Sequence, residues 1–140
     1  MASGVYHSGL KALTDGTFDY LTDTINIALM DSSHSFSADD ENWDDVSANE
    51  ISGTGYTAGG VALASKAVDD KDTDDAAYLD AGDAKWAGAI LSAYHAVIYY
   101  DSGVAGTSKL ICSIDFGAEK TADNATFTVT FDAKGFLKLE

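Results

Sequence analysis

The sequence predicts an all-β domain, a β-sandwich or closed barrel of about eight short strands, jelly-roll-like or Ig-like, with one short N-terminal helix. Three observations predict it. The chain has 13 glycines and no proline among many Asp, Ser, Thr and Asn residues, so its turns rest on positive-φ and side-chain-bonded positions, as in a fold of many short strands. The C-terminal third alternates apolar and polar residues at period two, the spacing of a half-exposed strand. Residues 89–100 are apolar on both faces and carry Tyr94, Val97, Ile98, Tyr99 and Tyr100. That enrichment favours a strand covered on both sides over a buried helix.

Taken in order, Ser8 is a cap for a helix that Gly16 ends, with Leu10 and Leu13 sharing a face. Ile25, Ile27 and Leu29 then share one side of a half-buried strand over 24–30, followed by a polar loop through Trp43. Glycines between Gly53 and Gly60 mark bulges or tight bends before a β-compatible run at 61–68. After an acidic loop, short strands are expected at 76–79 and 83–86, leading into 89–100. Leu110, Cys112, Ile114 and Phe116 form one face of the next strand. Ala125, Phe127, Val129 and Phe131 alternate with Thr126, Thr128, Thr130 and Asp132, so the phenylalanines face a core and the threonines face water. Asp132-Ala133-Lys134-Gly135 is a hairpin turn that returns the chain through Phe136-Leu137-Lys138-Leu139. With no repeat and no linker, residues 1–140 read as a single β-rich domain.

The 140 residues suffice to bury about two-thirds of the extended chain's surface. Cys112 is the only cysteine, which excludes an intramolecular disulfide and a four-cysteine zinc site. No apolar run has bilayer length, and the first residues lack the basic stretch and apolar core of a signal peptide, so no membrane partner is expected. A net charge of -15 repels phosphate backbones and removes counterion release as a driving force. Nucleic acid is not an expected partner.

No constellation carries catalytic chemistry. Gly53-Thr54-Gly55-Tyr56-Thr57-Ala58 fits the loose G-x-G-x-x-A form of a dinucleotide fingerprint, but the residues after it read as a strand, so no helix N-terminus awaits a pyrophosphate. It reads instead as a glycine-rich bend. Asp70, Asp72 and Asp74 alternate as in a calcium loop, yet Asp75 stands where the turn glycine belongs and Ala81 where the bidentate glutamate belongs. With Asp39, Asp40, Glu41, Asp44 and Asp45 they form solvated acidic clusters. His7, His34 and His95 stand in no short metal-ligand spacing, and Cys112 lies on an apolar strand face as an inert core thiol. No G-x-S-x-G elbow is present, and the Asn124-Ala125-Thr126 sequon has no secretory context. Neither an enzyme activity nor a cofactor or metal is expected. Trp43, Tyr56, Trp86, Tyr99 and Tyr100 are the candidates for an interface or a glycan-stacking platform.

The stretch Trp43-Asp44-Asp45-Val46-Ser47-Ala48-Asn49-Glu50-Ile51-Ser52-Gly53-Thr54-Gly55-Tyr56-Thr57-Ala58-Gly59-Gly60-Val61 resembles a segment common in small virion structural proteins of tailed bacteriophages. The likeness continues through Leu79-Asp80-Ala81-Gly82-Asp83-Ala84-Lys85-Trp86, residues 94–101, Ile114-Asp115-Phe116-Gly117 and residues 127–139. It implies a structural component of the particle, foremost a capsid decoration or cement protein that binds the major capsid protein of the assembled head in the virion. Such a role suggests a homo-oligomer, with a trimer as the guess from capsid geometry. The alternative is a tail or fibre component with a carbohydrate- or receptor-binding surface.

Overall fold

The computed structural model describes residues 3–71 and 75–139. It is all-β, with two antiparallel sheets and two helices. Strands β1 (Gly4–Val5), β2 (Ile25–Met30) and β3 (Val61–Ala62) join the long β6 (Ala84–Tyr100) and β7 (Leu110–Val129) in a five-stranded sheet of order β1-β7-β6-β2-β3. A smaller sheet of order β4-β5-β8 holds β4 (Ala67–Lys71), β5 (Ala76–Asp80) and β8 (Leu137–Leu139). Helix α1 spans His7–Thr14, and the single-turn α2 spans Trp43–Val46.

One core lies between the sheets. Ile25, Ile27, Leu29, Ile98, Ile114, Phe127 and Val129 of the large sheet pack there with Leu79, Phe136 and Leu137 of the small one. The opposite face of the large sheet is covered as well, because Ala28, Met30, Val97 and Leu110 lie with Tyr6, Trp43, Val46 and Tyr99 in a second cluster. β2 is therefore buried on both sides and not half-buried as its odd positions suggested. Its even positions Ala28 and Met30 are apolar because the N-terminal segment and α2 close over them.

The strand count matches the expectation, but two strands are long. The expected strands at 83–86 and 89–100 are one strand of 17 residues, and those at 110–116 and 125–131 form one of 20. Their junctions are bulges. Residues 116–119 stand opposite Tyr94 alone, since Ala93 pairs with Lys120 and His95 with Asp115. A second irregularity places Asn124, at φ 54°, between the pairs Ile90–Asp123 and Ala89–Ala125. An extra residue shifts which side chains face the core, and this broke the period that would have revealed continuity.

Three further expectations are corrected. Helix α1 begins at His7, and Ser8 does not cap it but donates from Oγ to the Glu41 carbonyl at 2.8 Å. Its buried face is Gly9 and Ala12, with Leu10 and Leu13 only half-buried. At Gly9 a Cβ would lie 2.0 Å from the Leu110 carbonyl oxygen, so glycine permits the helix to touch β7. The run at 61–68 is split, because Ser65 at φ 54° turns the chain from β3 in the large sheet to β4 in the small one. The C-terminal return does not form a hairpin with β7. Its turn closes as expected, Gly135 N–H reaching the Asp132 carbonyl at 3.0 Å. The Phe136 N–H then bonds the Leu79 carbonyl at 2.9 Å, and β8 pairs with β5. Burial decides this: Phe136 is fully enclosed, tilted against Phe131 and Tyr20, a gain of about 1.5–3 kcal/mol for a large apolar side chain.

Candidate functional site

The outer edge of β2 is sealed by the segment that runs from Asn49 to Leu63. Asp31 N–H bonds Asn49 O at 2.9 Å, Ile51 N–H bonds Leu29 O at 3.0 Å, and Leu63 N–H bonds Ile25 O at 2.7 Å. Between these, Ala62 and Val61 pair with Asn26 and Ile27. A polar network holds this strap down. The Tyr56 hydroxyl accepts from Leu29 N–H at 3.0 Å and donates to Glu50 Oε2 at 2.7 Å, while Gly59 N–H donates to the same oxygen at 2.7 Å. The Tyr99 hydroxyl donates to Gly59 O at 2.7 Å. Burial raises the Glu50 and Tyr56 pKa values and pushes Tyr99 up to about 12. Gly60, at φ 82°, passes so close that a Cβ would fall 1.9 Å from Ile27 O. The segment read as a glycine-rich bend is this strap, and β3, not a helix, comes after it.

The five aromatic candidates fall into three separate stacks. Trp43 lies on Tyr99 with ring centres 4.4 Å apart and planes 7° from parallel; Tyr56 lies against Trp86 at 6.0 Å, and Tyr100 on Phe18 at 5.0 Å. Trp43, Trp86 and Tyr99 are buried, and Tyr56 and Tyr100 are half-buried. They share no common face, and their rings serve packing within the chain rather than a sugar-stacking surface.

The other edge of the large sheet, along β7, is covered only in part. Ser3 N–H bonds Ser113 O at 2.8 Å, Tyr6 N–H bonds Ile111 O at 3.0 Å, and Leu110 N–H bonds Glu41 O at 3.1 Å. Asp115 N–H reaches Ser3 Oγ at 2.8 Å. Beyond the bulge at 116–119 no described residue pairs with the outer edge of β7. Phe127, Val129 and Phe131 are buried as expected, at 7%, 4% and 7% exposure, and Thr126, Thr128 and Thr130 are exposed. Phe131 N–H bonds Asp83 Oδ1 at 3.0 Å on the β6 side. By strand alternation the backbone groups of Thr126, Thr128 and Thr130 therefore point outward. A groove of about 290 Å³ runs beside them, floored by Phe116, Phe127 and Val129.

Two of the three histidines, 61 positions apart, meet where β1 ends. His34 Nε2 lies 3.2 Å from Ser113 Oγ, its ring is edge-on to His95 at 5.1 Å, and His95 Nδ1 is 3.8 Å from Asp115 Oδ1. Spacing carried no sign of this meeting. Burial, aided by His95, lowers the His34 pKa to about 4, so its ring is neutral and Nδ1 has no partner among the described residues. A serine beside a histidine suggests a nucleophile and base, but Ser113 is 2% exposed and His34 5%. No substrate carbonyl reaches that oxygen. Cys112 is fully buried, its thiol pushed up to about 12 by desolvation, as expected of an inert core residue. His7 is elsewhere, exposed beside Asp39 at 3.3 Å.

Of the acidic clusters, the first starts α2: Asp45 Oδ2 accepts from Glu41 N–H at 2.9 Å and Asn42 N–H at 3.0 Å, which lowers its pKa. In the second, Asp69 and Asp70 belong to β4 rather than to a loop, and Asp72 and Asp74 lie outside the described residues. Among the described residues, no three His, Cys, Asp or Glu side chains are grouped to hold a metal ion. Comparison with protein-family models, with curated proteins and with solved structures finds no match to this chain.

Proposed function

We propose that this chain is a non-enzymatic structural protein of a tailed-phage virion, binding the major capsid protein of the assembled head as a decoration or cement protein. The observation that supports it is where the residues of the resemblance lie. Trp43, Glu50, Tyr56 and Gly59, with Tyr99, make up the network and stack that fix the strap over β2. They shape a scaffold and line no cleft, which suits a protein whose work is done by its outer surface. Its acidity suits a position on the outside of the shell, away from packaged DNA.

Binding to the lattice adds contacts between capsid subunits, and a symmetric homo-oligomer multiplies a weak contact by avidity. The test mixes the purified protein with capsids that lack it, then measures binding and the temperature at which shells break. Saturable binding with a higher breaking temperature is expected. Failure to bind expanded capsids, together with binding to tails or on a glycan array, overturns the reading in favour of a receptor-binding fibre component.

A further inference from the structure

We propose that two copies of this chain join edge to edge through residues 125–129 of β7 and Thr130 just beyond it, antiparallel about a two-fold axis at Thr128, so that the large sheet runs continuously through both. Such pairing does not depend on the virion reading and holds or fails on its own.

Soluble proteins blunt free sheet edges with charge, proline, bulges or short strands, because an unpaired row of N–H and C=O groups recruits another strand. Several other described edges here are treated in one of these ways. The β2 edge is closed by the strap, β4 carries adjacent Asp69 and Asp70, and β8 is three residues long around Lys138. The first part of β7 is covered by β1 and ends in a bulge. Residues 125–130 are regular, uncharged and free of glycine and proline, with β-branched residues at four of six positions.

Geometry and charge select a second copy as the occupant. With the axis at Thr128, Thr126 of each copy faces Thr130 of the other. The outward-facing backbone groups then form three mutually bonded pairs, about six hydrogen bonds, and the exposed hydroxyls meet as threonine–threonine pairs. At -15 per chain, association is opposed wherever acidic surfaces meet. In this register no two carboxylates stand directly opposite, because Asp123 falls opposite Ala133 of the second copy and Asp132 opposite Asn124, although Asp123 and Asp132 of the two copies flank the contact at each end. Since a two-fold contact uses the same edge on both copies, and the far edge of the sheet is the two-residue β3, the addition closes at two. This favours a two-fold pair over the trimer expected from capsid geometry. One strand pair beside a shallow groove is a small interface, so association falls in the micromolar range and strengthens with salt.

The experiment is sedimentation of the full chain from about 1 to 200 µM, with Thr128→Lys and Thr128→Pro beside the wild type. Wild type is expected to move from 14.6 kDa towards twice that mass. Thr128→Lys sets two ammonium groups face to face at the axis and weakens the pair about tenfold or more; Thr128→Pro removes the central outward N–H and does the same. Both keep the wild-type circular dichroism, since neither touches the β6 ladder. If the proline variant does not fold, the lysine variant decides. A single 14.6 kDa species at every concentration, a trimer, or a dimer that Thr128→Lys leaves intact overturns the proposal.

Discussion

Along β2, outward backbone groups are met in turn by residues 49–63, down to the Leu29 N–H that bonds the Tyr56 hydroxyl. Along the last part of β7 the corresponding groups meet no described residue. The two edges belong to one sheet and share one core. Sealing β2 takes a half-buried carboxylate, two tyrosine hydroxyls and glycines at Gly59 and Gly60 with positive φ. One edge is thus closed by a dedicated network, and the other is left without a partner among the described residues.

The largest way to test that comparison is on the face common to both. Phe127→Ala removes a buried ring from β7 that touches Trp86 and Phe116, and is expected to cost about 3–5 kcal/mol in urea unfolding. An unchanged unfolding midpoint would place Phe127 outside the core. Next comes the covered part of the β7 edge, where His34 meets Ser113. Above a pH of about 6.5 the ring is neutral in folded and unfolded chains alike, and its contribution is complete. As pH falls, the unfolded chain binds the proton first, so stability is lost from about 6.5 down to the folded value of about 4. The wild type should therefore lose about 2–3 kcal/mol over that window relative to His34→Gln, measured as the difference between two urea series. Parallel curves would contradict the burial of a neutral ring.

Tyr56→Phe opens the sealed edge instead. It strips the Leu29 N–H and Glu50 of a buried partner and should cost about 1–3 kcal/mol, with Leu29 exchanging its amide hydrogen faster. The smallest effect belongs to the open edge: Thr126→Ala should change monomer stability by no more than about 0.5 kcal/mol, read at concentrations where no dimer forms. A loss comparable to that of Tyr56→Phe would mean that the edge is already engaged within the chain.

What the sequence shows of this molecule depends on how local the physics is. Phe127, Val129 and Phe131 are legible because one face is wet, which imposes strict alternation. β2 misleads because Ile25, Ile27 and Leu29 mark only one side, while Ala28 and Met30 on the other are buried beneath Trp43 and Tyr6, which arrive from distant parts of the chain. The continuity of β6 and β7 is hidden by the bulges opposite Tyr94 and at Asn124, which break the very period that identifies a strand. The turn before Gly135 is local and legible, whereas the partner of β8 is chosen by the burial of Phe136 and is not. The strap network joins Glu50, Tyr56 and Gly59 to Tyr99, 40 residues on from Gly59. No pattern in the chain announces that meeting, nor that of His34 with His95. The same distance explains why the aromatic candidates resisted a reading: a stacking ring and a packing ring have the same signature until their neighbours are known.

Amide hydrogen exchange across a dilution series tests the contrast between the two edges most directly. Leu29, Ile51 and Leu63 are expected to be protected at every concentration, because their partners lie within the chain. The amides of Thr126, Thr128 and Thr130 are expected to exchange freely when dilute and to gain protection as concentration rises. Protection of those threonine amides in the dilute monomer, or rapid exchange at Leu29 and Leu63, would contradict the account of one sealed edge and one open one.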